Sequence, residues 1–392
     1  MVNRIAILGS TGSIGKNAVS VIEALGDDYC VTALTANSSV EVLAHQARRL
    51  GVKYAGITDA RYTDRLAQLL EGSGVEILSG PDCLVQIAGM DCVDTILTAV
   101  VGSVGLKGVL EGARAGKRLA IANKEPLVVA GHLLTETARR SGAQIIPVDS
   151  EHSAIFQAMQ AGTKDEVDKI ILTSSGGPFR NYTEEEMAKA GISDALNHPK
   201  WDMGPKISID SATMMNKALE VIEARWLFDM PVDKIDVLIH PEAIIHSLVE
   251  FVDGSVIAQM GAPDMCLPIQ YAITYPQRVK GIAGRIDFAR LGQMNFASPN
   301  TDVFKSLRLC FEVASAPDSA AAVFNAANEA AVELFLAGSI GFTDIVDLVE
   351  DTLESHSPAA DLELEELIEY DRWAREKVFH QDCKKHRSYA GN

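Results

Sequence analysis

Basic residues are too few in this 392-residue chain to balance its acids. Lys and Arg total 35 against 53 Asp and Glu, so the net charge is -18 at neutral pH. Nucleic acids and anionic lipid surfaces attract proteins that carry a basic surface. The charge therefore argues against nucleic acid or membrane as a partner, and it favours a small molecule held by local basic groups.

Cysteine motifs and long apolar runs are also lacking. The six cysteines form no CxxC pair and no regular spacing, which is typical of reduced thiols in a reducing compartment. No apolar run reaches the length of a membrane-spanning helix. The first residues, MVNRIAILG, lead into a strand without the apolar region of a signal peptide. We expect a cytoplasmic protein.

What the sequence does have is a regular alternation of apolar runs and amphipathic segments over its first 150 residues. Six runs are candidate strands: RIAILG, CVTALT, YAGIT, VDTILTAV, RLAIAN and AQIIPV. Strands that alternate with helices predict right-handed crossovers and a parallel sheet covered on both faces. We therefore predict an α/β protein with an N-terminal Rossmann-like doubly wound parallel sheet over residues 1–150.

The pattern changes after residue 150. Candidate strands stand among longer loops: KIILTSSGG, KISI, VLIHP and SLVEFVDGSVIAQM, the last with an Asp-Gly turn signal for a hairpin. A stretch with Gly and Pro follows, and beyond it apolar residues recur at helical steps. We expect an α+β catalytic domain over 151–275, a linker over 276–300 and a small C-terminal helical domain over 301–392.

The segment GSTGSIGKNA connects the first strand to the first helix. Its glycines Gly9, Gly12 and Gly15 allow the backbone to approach a pyrophosphate, and the helix N-terminus offers free N–H groups. Thr11 and Ser13 add hydroxyl donors. The segment indicates dinucleotide binding, and a tight turn without a ligand is the alternative.

The turn after the second strand decides which dinucleotide is favoured. Enzymes that use NAD usually place an acid there, against the ribose 2′-hydroxyl. Here the turn carries the neutral donors Asn37, Ser38 and Ser39. Because an acid would repel a 2′-phosphate and these residues would not, the turn favours NADP over NAD.

Two carboxylates, Asp149 and Glu151, end the strand AQIIPV. Because side chains alternate along a strand, we expect both to face the same side, at the carboxyl edge where α/β sheets bind ligands. Paired carboxylates suit a hard divalent cation such as Mg²⁺ or Mn²⁺. A loop with two solvated acids explains the pair equally well.

The densest group of polar residues lies in HPKWDMGPKISIDSATMMNKALEVIEARWLF. Asp210 or Ser211 is a candidate N-cap for a helix that continues to about residue 228. Functional candidates occur along its first turns: Asn216, Lys217, Glu220 and, one turn later, Glu223. Spacing alone leaves open which glutamate is a metal ligand, and a solvated Lys–Glu pair is the alternative.

Another candidate is the turn at the end of KIILTSSGGPFR. The turn contains Ser174, Ser175, Gly176 and Gly177, whose hydroxyl and backbone N–H groups suit a phosphate. A plain Gly-rich turn is the alternative.

Taken together, these segments resemble one family, 1-deoxy-D-xylulose 5-phosphate reductoisomerase, across essentially the whole chain. The matching segments are GSTGSIG, ANKE (122–125), VDSEHSAIFQ (148–157), SSGGPFR (174–180), HPKWDMGPKISIDSATMMNKALEVIEA (198–224) and HPEAIIHSLVEF (240–251).

The resemblance implies a role for each matching residue. It implies these metal ligands: Asp149, Glu151 and Glu220. For the substrate phosphate it implies Ser175, Ser211, Asn216 and Lys217. For the rest of the substrate it implies Lys124, Ser150, Glu151 and His198, with Lys124, Glu151 and His198 as catalytic residues and Trp201 and Met203 on a mobile flap. For NADPH it implies Thr11, Gly12, Ser13, Ile14, Asn123, Glu125 and Gly204.

The resemblance further implies a reaction and an assembly. Members are homodimers that rearrange and reduce 1-deoxy-D-xylulose 5-phosphate to 2-C-methyl-D-erythritol 4-phosphate, with NADPH and Mg²⁺ or Mn²⁺. We expect a bacterial cytoplasmic dimer that associates through the catalytic domain, because the edge of its strand region over 246–260 needs a cover. The chain departs from many members at residues 37–39, where they carry Gly-Lys-Asn. Two alternatives stay open: another NADP dehydrogenase of a small phosphorylated substrate, which would need a cysteine nucleophile, and a non-catalytic NADPH sensor.

Overall fold

We describe the protein from a computed structural model that covers residues 2–201 and 203–389, with side chains as far as residue 380. The chain forms two units. The first comprises Met1–Pro126, Leu133–Phe156 and Asp264–Arg285, and the second comprises Leu127–His132, Gln157–Pro263 and Ile286–Asn392. This division differs from the four consecutive segments expected from the sequence, because residues 264–285 return to the first unit.

The first unit contains a seven-stranded sheet in the order β4-β3-β2-β1-β5-β6-β7, with all neighbours parallel. Its strands are β1 Asn3–Leu8, β2 Tyr29–Ala36, β3 Tyr54–Ile57, β4 Glu76–Ser79, β5 Thr95–Thr98, β6 Arg118–Ile121 and β7 Gln144–Pro147. The six predicted strands are confirmed. Strand β4 was missed, because this short edge strand has exposed ends and only two adjacent apolar residues.

Helices cover both faces of this sheet, as predicted. They are α1 Ser13–Leu25, α2 Val40–Leu50, α3 Thr63–Leu70, α4 Cys83–Gly89, α5 Leu106–Arg114, α6 Glu125–Ser141 and α7 Ser150–Ala158. Residues 127–132 of α6 and the last two residues of α7 are assigned to the second unit. Alternate side chains of β1 separate the layers: Ile5 and Ile7 join the cluster that includes α1 and α2, whereas Leu8 lies near Gly108 of α5.

A helix from much later in the chain completes the first unit. In α12, Cys266–Thr274, Ile269 and Ile273 are fully buried in the same cluster as β1 and α1. The Arg118 Nη1 of β6 donates a hydrogen bond of 3.1 Å to the Ile273 carbonyl oxygen. Burial of two isoleucines, each worth about 2 kcal/mol, explains why the chain returns here.

The second unit is built on a four-stranded mixed sheet in the order β11-β10-β8-β9. Its strands are β8 Val167–Ser174, β9 Ile235–Ile239, β10 Ile245–Phe251 and β11 Val256–Met260. Strands β10 and β11 form the predicted antiparallel hairpin, and Gly254 takes a positive φ of 84° in its turn.

Helices make up the rest of the second unit. They are α8 Glu184–Met187, α9 Ile192–Leu196, α10 Pro205–Ala212, α11 Met215–Phe228, α13 Phe288–Leu291, α14 Lys305–Ser315, α15 Ser319–Leu336, α16 Asp344–Glu354 and α17 Leu364–Tyr389. The C-terminal helices confirm the prediction. The predicted strand KISI is wrong: these residues lie in α10, because Gly204 and Pro205 supply a helix N-cap and a first-turn proline.

The predicted helix over about 211–228 is two helices. Residue Met214 has a left-handed φ of 58°, which separates α10 from α11. The Thr213 hydroxyl donates to the Ile209 carbonyl oxygen at 3.0 Å and accepts from the Met215 N–H at 3.3 Å. The Ser306 hydroxyl of α14 donates to the Thr213 carbonyl oxygen at 2.7 Å. These bonds end α10 and start α11 in a new direction.

Residue Asp210, a predicted N-cap, instead lies inside α10 with its side chain 2% exposed. Its carboxylate accepts from the Asn328 amide of α15 at 2.8 Å and pairs with Lys206 at 2.7 Å. Asn328 is fully buried. A charged group therefore joins α10 to the helical part of the second unit.

No helix in the described part of the chain is both long enough and apolar enough to cross a membrane. Five cysteines have free thiols: Cys30, Cys83, Cys92, Cys266 and Cys310. The sixth, Cys383, lies outside the described side chains. The five described thiols agree with the reduced state expected from the sequence.

We predict that Asp210→Ala lowers the free energy of unfolding by about 3 kcal/mol, because it removes a charge that buried partners need. Urea denaturation followed by circular dichroism measures the loss. Asp347→Ala is the matched control: Asp347 also pairs with a lysine, Lys305, at 2.9 Å, but both side chains are more than 40% exposed. The control should cost less than about 1 kcal/mol. Equal costs would contradict a special role for the buried carboxylate.

Candidate functional site

The backbone is so crowded where β1 leads into α1 that two glycines, Gly9 and Gly15, cannot be replaced freely. A Cβ on Gly15 would lie 2.3 Å from the Gly9 carbonyl oxygen and 2.5 Å from the Ser10 Cα. Gly9 itself has a φ of 89°. The Gly9 N–H donates to the Thr35 hydroxyl at 2.9 Å, so β2 holds the loop in place. The loop has the strand–turn–helix geometry predicted for a dinucleotide site.

The N-terminus of α1 is open for a ligand. Gly12 is its N-cap and offers no side-chain cap to the first N–H groups of the helix. The predicted NADPH residues around it are at least partly exposed: Thr11, Gly12, Ser13 and Ile14. Exposed N–H groups at a helix start suit a pyrophosphate.

The turn after β2 carries the three predicted neutral donors. Asn37, Ser38 and Ser39 are all exposed. Thr58 directly follows β3, and its hydroxyl donates a hydrogen bond to the Asn37 Oδ1 at 2.9 Å. This hydrogen bond joins the turn after β2 to the loop after β3, a connection that spacing along the sequence cannot show.

The segment after β6 holds three predicted residues. Asn123 is buried, and its Oδ1 has no hydrogen-bond partner among the described residues. A buried acceptor of this kind suits a ligand donor. Lys124 pairs with Asp149 at 2.8 Å, with both side chains nearly buried. Glu125 is buried in the first turn of α6.

The two predicted carboxylates after β7 do not extend the strand. The strand ends at Pro147, and Glu151 lies in the first turn of α7. The Asp149 carbonyl oxygen accepts from the Ser153 N–H at 2.8 Å, and its Oδ1 accepts from the Glu151 N–H at 3.3 Å. The expectation of a shared strand face is therefore wrong, because Asp149 caps the helix that follows. Ser150 hydrogen-bonds the Glu151 carboxylate.

These positions share one edge of the first sheet. Parallel strands bring their carboxyl ends together, so the loops after β1, β2, β6 and β7 lie on one side. Within the first unit the structure thus brings together the Lys124–Asp149 pair and the Ser150–Glu151 pair at the edge where nucleotides bind.

In the second unit, the turn after β8 packs against α10. Gly176 and Gly177 have φ of 82° and 66°, and a Cβ on Gly177 would lie 2.5 Å from the Ser211 carbonyl oxygen. The Gly177 N–H donates to the Ser175 hydroxyl at 3.3 Å. The predicted phosphate residues Ser175 and Ser211 therefore lie on adjoining segments.

The imidazole of His198 has a defined tautomer. Its Nδ1 accepts from the Lys200 N–H at 3.2 Å and from the Trp201 N–H at 2.9 Å. The proton of the neutral ring therefore lies on Nε2, which faces the Ser175 hydroxyl at 3.3 Å. Burial lowers the pKa of His198 below its ordinary value, which favours this neutral form.

Near the start of α11, two predicted residues contact the carboxylate of a third. Glu220 is 1% exposed, the Asn216 amide donates to its Oε1 at 2.6 Å, and Lys217 pairs with its Oε2. Glu223, one turn later, is equally buried. Burial does not separate the two glutamates as metal ligands, and the choice of Glu220 stays a prediction.

Three further predicted positions precede α10. Gly204 is an exposed N-cap with open space around its Cα. Trp201 and Met203 are half-buried, and Asp202 lies outside the described residues. The Trp201 N–H donates a hydrogen bond to the His198 imidazole. The mobility of the flap that carries Trp201 and Met203 stays a prediction.

The chain is similar to one family along nearly its whole length. Three family models match: 1-deoxy-D-xylulose 5-phosphate reductoisomerase over residues 5–131, the 1-deoxy-D-xylulose 5-phosphate reductoisomerase C-terminal domain over 145–228, and the DXP reductoisomerase C-terminal domain over 260–377. The 1-deoxy-D-xylulose 5-phosphate reductoisomerase of Chloroherpeton thalassium is 47% identical over 376 residues, which is 96% of this chain and 97% of that protein.

Solved structures agree. The 1-deoxy-D-xylulose 5-phosphate reductoisomerase of Zymomonas mobilis, in complex with NADPH, is 44% identical with a TM-score of 0.92 and covers 97% of this chain and 99% of that one. A DOX-P reductoisomerase in complex with NADPH, fosmidomycin and magnesium is 40% identical with a TM-score of 0.91, over 97% and 98% of the two chains.

The glycine loop gives a paired prediction. Gly15→Ala should lower both stability and NADPH affinity, because its Cβ would meet backbone atoms that cannot move aside. A Cβ on Gly12 would have no neighbour nearer than 3.7 Å. Gly12→Ala should therefore keep the melting temperature and weaken NADPH binding only. Thermal unfolding and fluorescence titration measure the two effects, and a large loss of stability in Gly12→Ala would contradict this interpretation.

Proposed function

This chain belongs to the 1-deoxy-D-xylulose 5-phosphate reductoisomerase family, and from that premise we propose that it catalyses the NADPH-dependent conversion of 1-deoxy-D-xylulose 5-phosphate to 2-C-methyl-D-erythritol 4-phosphate. This step belongs to the non-mevalonate route to isoprenoid precursors. The observation that carries the proposal is Glu220, a fully buried carboxylate with Asn216 and Lys217 on its two oxygens.

The residues fit a hard divalent cation. Asp149, Glu151 and Glu220 offer carboxylate oxygens, which are the ligands that Mg²⁺ and Mn²⁺ prefer. Two of the three carboxylates already have a lysine beside them: Lys124 beside Asp149 and Lys217 beside Glu220. A buried carboxylate is stable only with positive charge close by, and two of these three carboxylates already lie beside a lysine. The group therefore attracts positive charge, which supports the assignment of a divalent cation to these three ligands.

The substrate phosphate suits a second group of residues. Ser175 and Ser211 offer hydroxyls from the adjoining turn and helix, and Asn216 and Lys217 begin α11. Lys217, which pairs with the Glu220 carboxylate, would bind the phosphate as a point charge. Gly176 and Gly177 take positive φ in this turn, and their N–H groups donate to the Ser174 and Ser175 hydroxyls, so those hydroxyls are held beside the proposed phosphate.

The remaining contacts support orientation of the carbon skeleton. We assign Lys124, Ser150, Glu151 and His198 to the substrate hydroxyl and carbonyl groups. Because His198 is neutral with its proton on Nε2, it donates one hydrogen bond and adds no charge. Lys124, Glu151 and His198 are the proposed catalytic residues, since each holds a polar hydrogen or an acceptor within the substrate site.

When bound, the cation supplies Lewis-acid stabilisation of developing oxygen charge and NADPH supplies the hydride. The protein's part is to hold the ketose phosphate at both ends while its carbon skeleton rearranges, by retro-aldol and aldol steps or by an α-ketol shift. Lys124 keeps Asp149 in place, and the Ser150 hydroxyl keeps Glu151 in place. A flap that carries Trp201 and Met203 would exclude water.

The dinucleotide belongs to the edge of the first sheet. We assign its pyrophosphate and ribose contacts to Thr11, Gly12, Ser13, Ile14, Asn123, Glu125 and Gly204, and its adenosine 2′-phosphate to Asn37, Ser38 and Ser39. The open helix start at Gly12 and the buried Asn123 Oδ1 support this assignment. We propose the expected roles along the chain: NADPH binding over 1–150, catalysis and dimerisation over 151–275, a linker over 276–300 and a helical domain over 301–392, with the exception that residues 264–285 belong to the first unit.

The second unit has an edge strand that needs a cover. On β11 and its turn, Val252, Val256 and Ile257 are exposed by 66%, 47% and 39%. An apolar sheet edge invites pairing with another copy. We propose a cytoplasmic homodimer that associates through this edge.

Sedimentation of the wild-type chain should give a dimer, and Ile257→Lys should shift the equilibrium toward monomer. A monomeric wild type at micromolar concentration would contradict the proposal.

The test of function is consumption of NADPH in the presence of the ketose phosphate. Wild-type protein should consume NADPH only when both 1-deoxy-D-xylulose 5-phosphate and Mg²⁺ or Mn²⁺ are present, and a chelator should stop it. Glu220→Gln should lower turnover by more than about a hundredfold and leave NADPH affinity near the wild-type value.

Glu223→Gln is the matched control, because Glu223 is equally buried on the same helix. It should lose little activity. Equal losses in the two variants would return Glu220 to a structural role, and turnover without a divalent cation would contradict the proposed function.

A further inference from the structure

The turn proposed to bind the 2′-phosphate of NADPH contains no basic residue of its own. A 2′-phosphate carries a charge of about -2 at neutral pH. The turn that meets it, Asn37, Ser38 and Ser39, offers only neutral donors. Hydrogen bonds from a charged donor to phosphate are about twice as strong as those from a neutral one. A cation from another segment would therefore complete the site.

The neighbouring strand supplies a segment in the right place. Strand β3 runs parallel to β2, with Ile57 opposite Ala36. Beyond the strands, the Asp59 N–H donates to the Asn37 carbonyl oxygen at 3.1 Å, and the Thr58 hydroxyl donates to the Asn37 Oδ1 at 2.9 Å. The loop after β3 is thus fastened to the turn after β2 by both backbone and side chain.

That loop presents an arginine. Arg61 lies in a single 3₁₀ turn, Ala60–Tyr62, whose N-cap is Asp59. The Arg61 Nη2 lies 2.6 Å from the Asp59 Oδ2, and its Nε donates to the Asp59 Oδ1 at 2.9 Å. The Arg61 side chain is 85% exposed, whereas that of Asp59 is 17% exposed. The carboxylate therefore holds the guanidinium at the surface.

Enough of the guanidinium is left for a ligand. Arginine has five N–H donors, and Asp59 engages Nε and one side of Nη2. The Nη1 group and the other Nη2 hydrogen face away from the carboxylate. A guanidinium already fixed in one orientation loses less side-chain entropy when it binds a phosphate than a free lysine would.

A second arginine nearby is engaged elsewhere. Arg65, one helical turn later on α3, pairs with Glu41 in the first turn of α2 at 3.3 Å. Arg61 instead pairs with the residue whose N–H is bonded to Asn37. The Arg61 guanidinium is therefore connected to the Asn37, Ser38 and Ser39 turn through Asp59.

We propose that Arg61 binds the 2′-phosphate of NADPH together with the Asn37, Ser38 and Ser39 turn, and so sets the preference of this protein for NADPH over NADH. The inference rests on the proposed function only for the identity of the dinucleotide. It makes the loop after β3, rather than the turn after β2, the source of positive charge.

The test compares ligands that differ only in the 2′-phosphate. In the full-length protein, Arg61→Met should weaken NADPH about tenfold and leave NADH unchanged, since a charge-assisted contact to phosphate is lost. Adenosine 2′,5′-bisphosphate and AMP, titrated by calorimetry, should show the same difference. Arg61→Lys should recover part of the affinity for the phosphorylated ligands.

Arg49→Met is the matched control. Arg49 is also exposed and pairs with an acid, Glu23, at 2.9 Å, but it lies at the far end of α2. It should change neither affinity. An unchanged NADPH affinity in Arg61→Met, an equal loss of NADPH and NADH, or a selective loss in Arg49→Met would each overturn the proposal. Failure of the wild type to turn over the ketose phosphate would count against the proposed function alone, because these are binding measurements.

Discussion

One buried charge, the carboxylate of Glu220, constrains the second unit. A carboxylate that is 1% exposed needs compensation, since an unpaired buried charge costs several kcal/mol. Asn216 and Lys217 supply it from the preceding turn of α11. That arrangement requires α11 to begin at Met215, and the left-handed Met214 with the Thr213 hydrogen bonds fixes this start. A buried glutamate with a lysine beside it is a poor way to gain stability, and it suits a ligand for a cation.

The first unit applies the same principle at its sheet edge. There Asp149 caps α7 and pairs with Lys124, while the glycine loop after β1 leaves the start of α1 open. Each unit thus keeps acids and lysines close together near a helix start. Helix starts attract anions and lysines attract phosphate, so the same features suit a dinucleotide and a sugar phosphate. The proposed role of Arg61 extends this arrangement to the 2′-phosphate.

Regular features of the fold could be predicted from the sequence. RIAILG and its five counterparts are buried strands, and the Asp-Gly turn marks the β10–β11 hairpin. The errors have local causes. The KISI segment alternates like a strand, but Gly204 and Pro205 start a helix there. A left-handed methionine at 214 has no sequence signal, and the Asp59–Arg61 pair matters only because β3 lies beside β2. Residue types led to the predicted site, whereas the pairing of distant residues could be found only from the fold.

We propose that Asp149, Glu151 and Glu220 hold one divalent cation, and a crystal structure with Mn²⁺, in which anomalous scattering locates the ion, tests this directly. We expect one anomalous peak per chain, about 2.2 Å from an oxygen of each of the three carboxylates, close to the distances of Mg²⁺ and Ca²⁺ sites. A peak bound to Glu223 and not to Glu220, or no peak near these carboxylates at saturating Mn²⁺, would contradict it.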